Sequence, residues 1–128
     1  MTAGKRPAFE IPLRGITVNV WALEKDQSIK HLLLHLQIHL GTMEFIIEDC
    51  KGLNACSIFL RHSSQADSRA YIFTLGQAPN RYGVHLEYPD LFNEGNMIGA
   101  YENITLKSLV DMLAVHFDIA EIHHRALL

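Results

Sequence analysis

Three of the chain's eight histidines, His31, His35 and His39, recur every four residues within KHLLLHLQIHLGTMEFIIED, residues 30–49. Imidazole is a common ligand of zinc and other transition metals, and two histidines at i and i+4 of a helix can share one ion. Three in succession cannot, because a helix rises ~12 Å between the outer pair. On a strand even adjacent rungs of this ladder are ~13 Å apart, so no two could chelate together. The chemistry open to these histidines therefore depends on the element that carries them.

As a helix, the stretch has Ser28 as a candidate N-cap, Gly41 as a stop, and an apolar stripe of Ile29, Leu32, Leu33, Leu36 and Leu40. Leu34 and Ile38 then fall on roughly the opposite side. As a strand, Leu32, Leu34, Leu36, Ile38 and Leu40 share one face, and His31, Leu33, His35, Gln37 and His39 the other. Gly41-Thr42 has the Gly-first chemistry of a type II′ turn, which sets His39 opposite Glu44 and His35 opposite Glu48. Both faces come out chemically sensible, although Gln37 opposite Ile46 is a mismatch. The strand reading is the tidier one. It turns a metal ladder into a polar, pH-sensitive sheet face, for which water or a protein partner is the ordinary occupant.

Other chemistry is sparse. Cys50, Cys56, Ser57, Ser63 and Ser64 are candidate nucleophiles, but none sits in an active-site signature. Cys50 and Cys56 are expected as reduced thiols, although such a pair could close a small disulfide loop. Neither GxGxxG nor GxxxxGK[ST] occurs, and the eight glycines are dispersed as turn residues. No catalytic residue, metal ligand or cofactor is assigned.

The elements that must position these residues follow from periodicity. Residues 1–14 form an extended or frayed lead-in, and an alternating strand covers residues 16–23. Further strands are expected at residues 55–62, 69–75 and 82–88, the last two joined as a hairpin through Gly76-Gln77-Ala78-Pro79-Asn80. In the first of these, Ile58 and Leu60 face one way and Phe59 and Arg61 the other. Residues 89–99 are expected as an irregular acidic loop with apolar anchors Leu91, Phe92, Met97 and Ile98. Thr105 then caps a helix whose stripe is Leu106, Leu109, Val110, Leu113 and Phe117.

The chain of 128 residues is 48% hydrophobic and 20% charged, as expected for one globular domain with its own core. Its net charge of −3 argues against a nucleic-acid footprint. No apolar run reaches the ~20 residues of a membrane helix, and Pro7, Pro12 and Arg14 interrupt anything resembling an export signal. A soluble, cytoplasmic protein is expected. The fold expected is α+β: an antiparallel sheet of about five or six strands in meander-like order, with the helix near 105–117 packed on one face.

The function expected is a small non-catalytic module that binds a protein partner, in the manner of an immunity protein, antitoxin, inhibitor or chaperone. His35, His39, Glu44, Glu48, Tyr82, His85, Phe92 and Met97 are the candidate partner-binding residues. The alternative is a metal- or small-ligand-dependent enzyme using histidine and carboxylate pairs on the sheet, supplied by His35, His39, Glu44, Glu48, His62 and His85. Self-association through exposed strand edges, or through the Leu34/Ile38 side, is a third reading.

Overall fold

The computed structural model describes residues 10–13, 16–41, 44–48, 55–63, 68–89 and 96–118. Seven strands form one sheet: β1 (Glu10–Leu13), β2 (Ile16–Asn19), β3 (Phe45–Ile47), β4 (Ser57–His62), β5 (Arg69–Phe73), β6 (Tyr82–Pro89) and β7 (Asn96–Ile104). Helix α1 (Gln27–Leu40) lies between β2 and β3, and helix α2 (Leu106–His116) follows β7. The strand order is β2-β1-β3-β4-β5-β6-β7. Strands β3 to β7 form an antiparallel meander, and the β1–β2 hairpin joins it through a parallel contact, Leu13 beside Ile47. This is the expected α+β class, with the lead-in contributing a strand.

The stretch carrying the histidine ladder is helix α1, so residues 27–40 are not the first strand of the expected hairpin. Leucine, glutamine and lysine favour a helix, and only Ile29 and Ile38 in the segment are β-branched. Both ends are stopped chemically. Asp26 is the N-cap: its Oδ2 accepts from the Ser28 backbone N–H at 3.2 Å and from the Ser28 hydroxyl at 2.8 Å. That places the cap two residues before Ser28. These two hydrogen bonds hold the Asp26 carboxyl below its ordinary pKa. At the other end Gly41, with φ of 106°, donates its N–H to the Gln37 carbonyl at 3.1 Å. A glycine that can take positive φ ends the helix here, where the hairpin reading used it to turn a strand.

The pairings His39–Glu44 and His35–Glu48 therefore do not form. Strand β3 pairs with β4 instead, Phe45 opposite His62 and Ile47 opposite Leu60. Two more boundaries move. Residues 20–22 form a 3₁₀ turn, where the alternation suggested continued strand, because the Asn19 side chain accepts from the Trp21 N–H at 2.9 Å. Residues 96–99, read as loop, belong to β7, which gains its strand character from pairing with β6 along Asn96 to Ile104.

Both helices bury their stripes in one core on one side of the sheet. Ile29, Leu32, Leu33, Leu36 and Leu40 of α1 join Leu109, Val110, Leu113 and Ala114 of α2, with Phe117 just beyond it. The sheet supplies Phe45, Ile47, Ile58, Leu60, Ala70, Ile72, Val84 and Leu86. Fully burying side chains of this size stabilises by about 1.5–3 kcal/mol each before entropy is counted. The α2 stripe is the expected one, and Thr105 caps it by accepting from the Ser108 N–H at 3.1 Å. No described helix is long and apolar enough to cross a membrane.

Candidate functional site

Because both helices sit on one side, the other side of the meander is left without a helical cover among the described residues. Alternation sends Ala70 and Ile72 of β5 into the core and Arg69, Tyr71 and Phe73 to the opposite face. Register then brings Phe59 beside Tyr71, and Tyr71 beside His85. The four rings form a continuous part-exposed cluster. Phe59 and Tyr71 have centroids 4.9 Å apart, Tyr71 and Phe73 5.6 Å, Tyr71 and His85 5.8 Å, and Phe73 and His85 5.3 Å. Tilted and edge-on geometries at these distances suit the ring quadrupoles.

Charges border the cluster. The Arg69 guanidinium lies over the Phe59 ring, 4.6 Å from its centroid, and between two carboxylates. Its Nε is 2.9 Å from Glu48 Oε1 and 3.7 Å from Glu87 Oε1. The shorter contact is off the N–H axis, so it is an ion pair without a directed hydrogen bond. Part-exposed pairs of this kind contribute up to about 1 kcal/mol, and their larger effect is to fix where the side chains lie. Ile98 and Ala100 of β7, opposite Glu87 and His85, extend the same face toward the sheet edge.

Of the residues singled out in the sequence, Glu48 and His85 are on this face. His35 and His39 are on α1, in the helical layer. Glu44 precedes β3, on the chain leaving α1. Tyr82 packs partly against the core, where burial raises its hydroxyl pKa. Phe92 lies outside the described residues, as does Cys50, and Met97 is placed by its backbone alone, in β7. Cys56, half-buried, lies just before β4.

The helical ladder does bring His35 and His39 together. Their rings are stacked, with centroids 6.1 Å apart and planes 4° from parallel, which matches the ~6 Å rise of four helical residues. Ring-nitrogen lone pairs lie in the ring planes, so two stacked parallel rings do not aim at a common point. The ladder also grades in burial, from exposed His31 against Trp21 (5.9 Å, edge-on) to fully buried His39. Burial, and then the neighbouring histidines, push the pKa of His35 down. Among the described residues no group of three or more His, Cys, Asp or Glu is placed to hold a metal.

Phe59, Tyr71, Phe73 and Arg69 were not singled out in the sequence. Their signal was present in SIFLRH and RAYIF, where the residues alternating with the core set are aromatic, against the polar expectation for a solvated sheet face. No protein-family model, curated protein or solved structure matches this chain.

Proposed function

We propose that the chain is a non-catalytic protein-interaction module whose sheet face opposite the two helices receives the partner. The observation that carries this reading is the cluster of Phe59, Tyr71, Phe73 and His85, part-exposed and bordered by Arg69, Glu48 and Glu87. Interface cores favour aromatic residues, and hot spots favour tyrosine and arginine within a ring of less critical contacts. A nucleic acid would also stack on aromatics, but the chain carries a net charge of −3 and Arg69 is already faced by two carboxylates. A protein with an apolar centre and charges of both signs at its rim is the better fit. Immunity proteins, antitoxins, inhibitors and chaperones are modules of this kind. The enzyme alternative has less support, since His35 and His39 lie in the helical layer while Glu48 and His85 lie across the sheet.

The test compares wild type, Tyr71→Ala and Ile38→Ala as baits against extracts of the source organism, followed by titration of the protein retained at stoichiometric yield. Loss of a hot-spot tyrosine weakens binding by ~30-fold or more, so Tyr71→Ala should lose the partner while Ile38→Ala, on the far side of α1, keeps it. Equal affinity for all three would remove this face from consideration.

A further inference from the structure

We propose that a second copy of this chain pairs antiparallel with the edge strand β7, giving a two-fold dimer with one continuous sheet. Among the described residues, strand β7 ends the sheet and is its longest strand, nine residues from Asn96 to Ile104. An unpaired edge presents a row of backbone donors and acceptors, which proteins commonly block with lysine, proline, inward charges or a very short strand. The opposite edge uses the last device, since β2 has four residues. Strand β7 contains no lysine, arginine or proline, and its only ionisable carboxyl is Glu102. From Ile98 to Tyr101 its exposed side chains are apolar or aromatic, and the exposed polar ones, Glu102 and Asn103, follow. Ile98 is 64% exposed and Tyr101 44%, and Ala100 is exposed between them.

One end of the strand is already committed. The pairing with β6 slips there, so that Val84 meets Tyr101 while Tyr82 meets Ile104, and Asn103 takes a φ of 53°. The β5–β6 hairpin loop is fastened to this irregularity. Asn103 Oδ1 accepts from the Ala78 N–H at 2.8 Å, the Asn103 N–H donates to Gln77 Oε1 at 2.6 Å, and Gln77 Nε2 donates to Glu102 Oε1 at 3.2 Å. The clasp leaves residues 96–101 as the regular, open run.

That run is self-complementary. Two identical strands paired antiparallel are related by an axis perpendicular to the sheet, so both copies turn the same face the same way. With the axis at Gly99, Ile98 lies opposite Ala100 of the second copy, and Glu102 lies opposite Asn96. No like charges meet, which is the condition such a register must satisfy. A two-fold contact also closes on itself and does not propagate into fibres. Ile98 and Ala100 share the face of Glu87 and His85, so the dimer joins two aromatic clusters across one seam. The occupant is therefore a second copy, chosen by the absence of blocking charge and by the fit of the edge to itself. This inference does not depend on the partner reading.

Sedimentation equilibrium at micromolar to millimolar concentration tests it on the whole chain, with hydrogen exchange on the same samples. The expected result is twice the chain mass, reverting to the single mass in Ile98→Lys and unchanged in Tyr71→Ala. Amide protection across residues 96–101 of the unmodified protein should rise with concentration, which keeps the test independent of how any variant folds. A single mass throughout would overturn the proposal. So would a dimer that survives Ile98→Lys with unchanged exchange in 96–101, or one that Tyr71→Ala dissociates, since the contact would then lie elsewhere.

Discussion

The Phe73 ring lies directly over the α-carbon of Gly83, its opposite number on the neighbouring strand. A methyl group built on Gly83 would collide with Phe73 Cε2 and Cζ, far inside contact distance. Glycine is therefore needed for space, not for an unusual backbone angle. The ring covers a bare stretch of strand, and so lies flat enough to meet both Tyr71 and His85.

Gly83→Ala should consequently push Phe73 off the sheet. Overpacking of this kind costs about 1–3 kcal/mol, readable as a lower urea midpoint, and the displaced ring should alter the near-ultraviolet circular dichroism of the aromatic cluster. Combining it with Phe73→Ala should recover part of the loss, because the two changes act through one contact. Additive effects in the double variant would show that the ring does not rest on Gly83.

Leu36 and Ile38 separate the helix from the hairpin in a single comparison. Simple alternation puts them on the same face, and they would then respond alike to truncation. In α1 Leu36 is fully buried and Ile38 is 41% exposed. Leu36→Ala should cost about 2–5 kcal/mol, as buried leucines do. Ile38→Ala should stay within about 0.5 kcal/mol, as surface substitutions do. Urea unfolding of both variants gives the answer, and equal losses would contradict the helix.

Acid should weaken the fold through His35 and His116. Burial holds the pKa of each below the ordinary 6.5. For His35 the neighbouring His39 and His31 add to the effect. For His116 the effect is partly offset by its hydrogen bond to the Arg69 carbonyl (2.7 Å) and by Glu87. That carbonyl can only accept, so His116 Nε2 carries a proton in the neutral ring. When the folded pKa is depressed, the unfolded chain binds protons first as pH falls. Stability is then full above 6.5 and is lost progressively from 6.5 down to the folded pKa values. Melting temperature followed from about pH 7.5 to about pH 5 should fall on the acid side, and less steeply in His35→Gln. A flat profile would contradict the burial of these rings.

How much of this was legible in the residues differs from one element to the next. Helix α2 was, because Thr105 and the Leu106–Phe117 stripe satisfy helical spacing and no competing period. Strands β4, β5 and β6 were, because turn residues bound short alternating runs. Helix α1 was not. A leucine-rich segment with histidines at every fourth position fits period 2 as well as period 3.6, and Gly41 can end a helix or turn a hairpin. Asp26 was the deciding residue: the helix begins two residues earlier than the apolar pattern suggests, on a cap that also bonds Ser28.

The sequence alone determined the α+β class, the alternating core residues in the meander, and the cap and apolar stripe of α2, since these follow from local chemistry and periodicity. Only the tertiary structure decided what the exposed residues could do. By placing both helices on one side, it left the aromatic side of β4, β5 and β6 without a helical cover among the described residues. By making 27–40 a helix, it took His35 and His39 away from Glu44 and Glu48 and stacked them on each other. Ring neighbours such as Tyr71 and His85, or Phe73 and Gly83, are set by strand register, and register depends on long-range pairing that no local stretch of sequence contains.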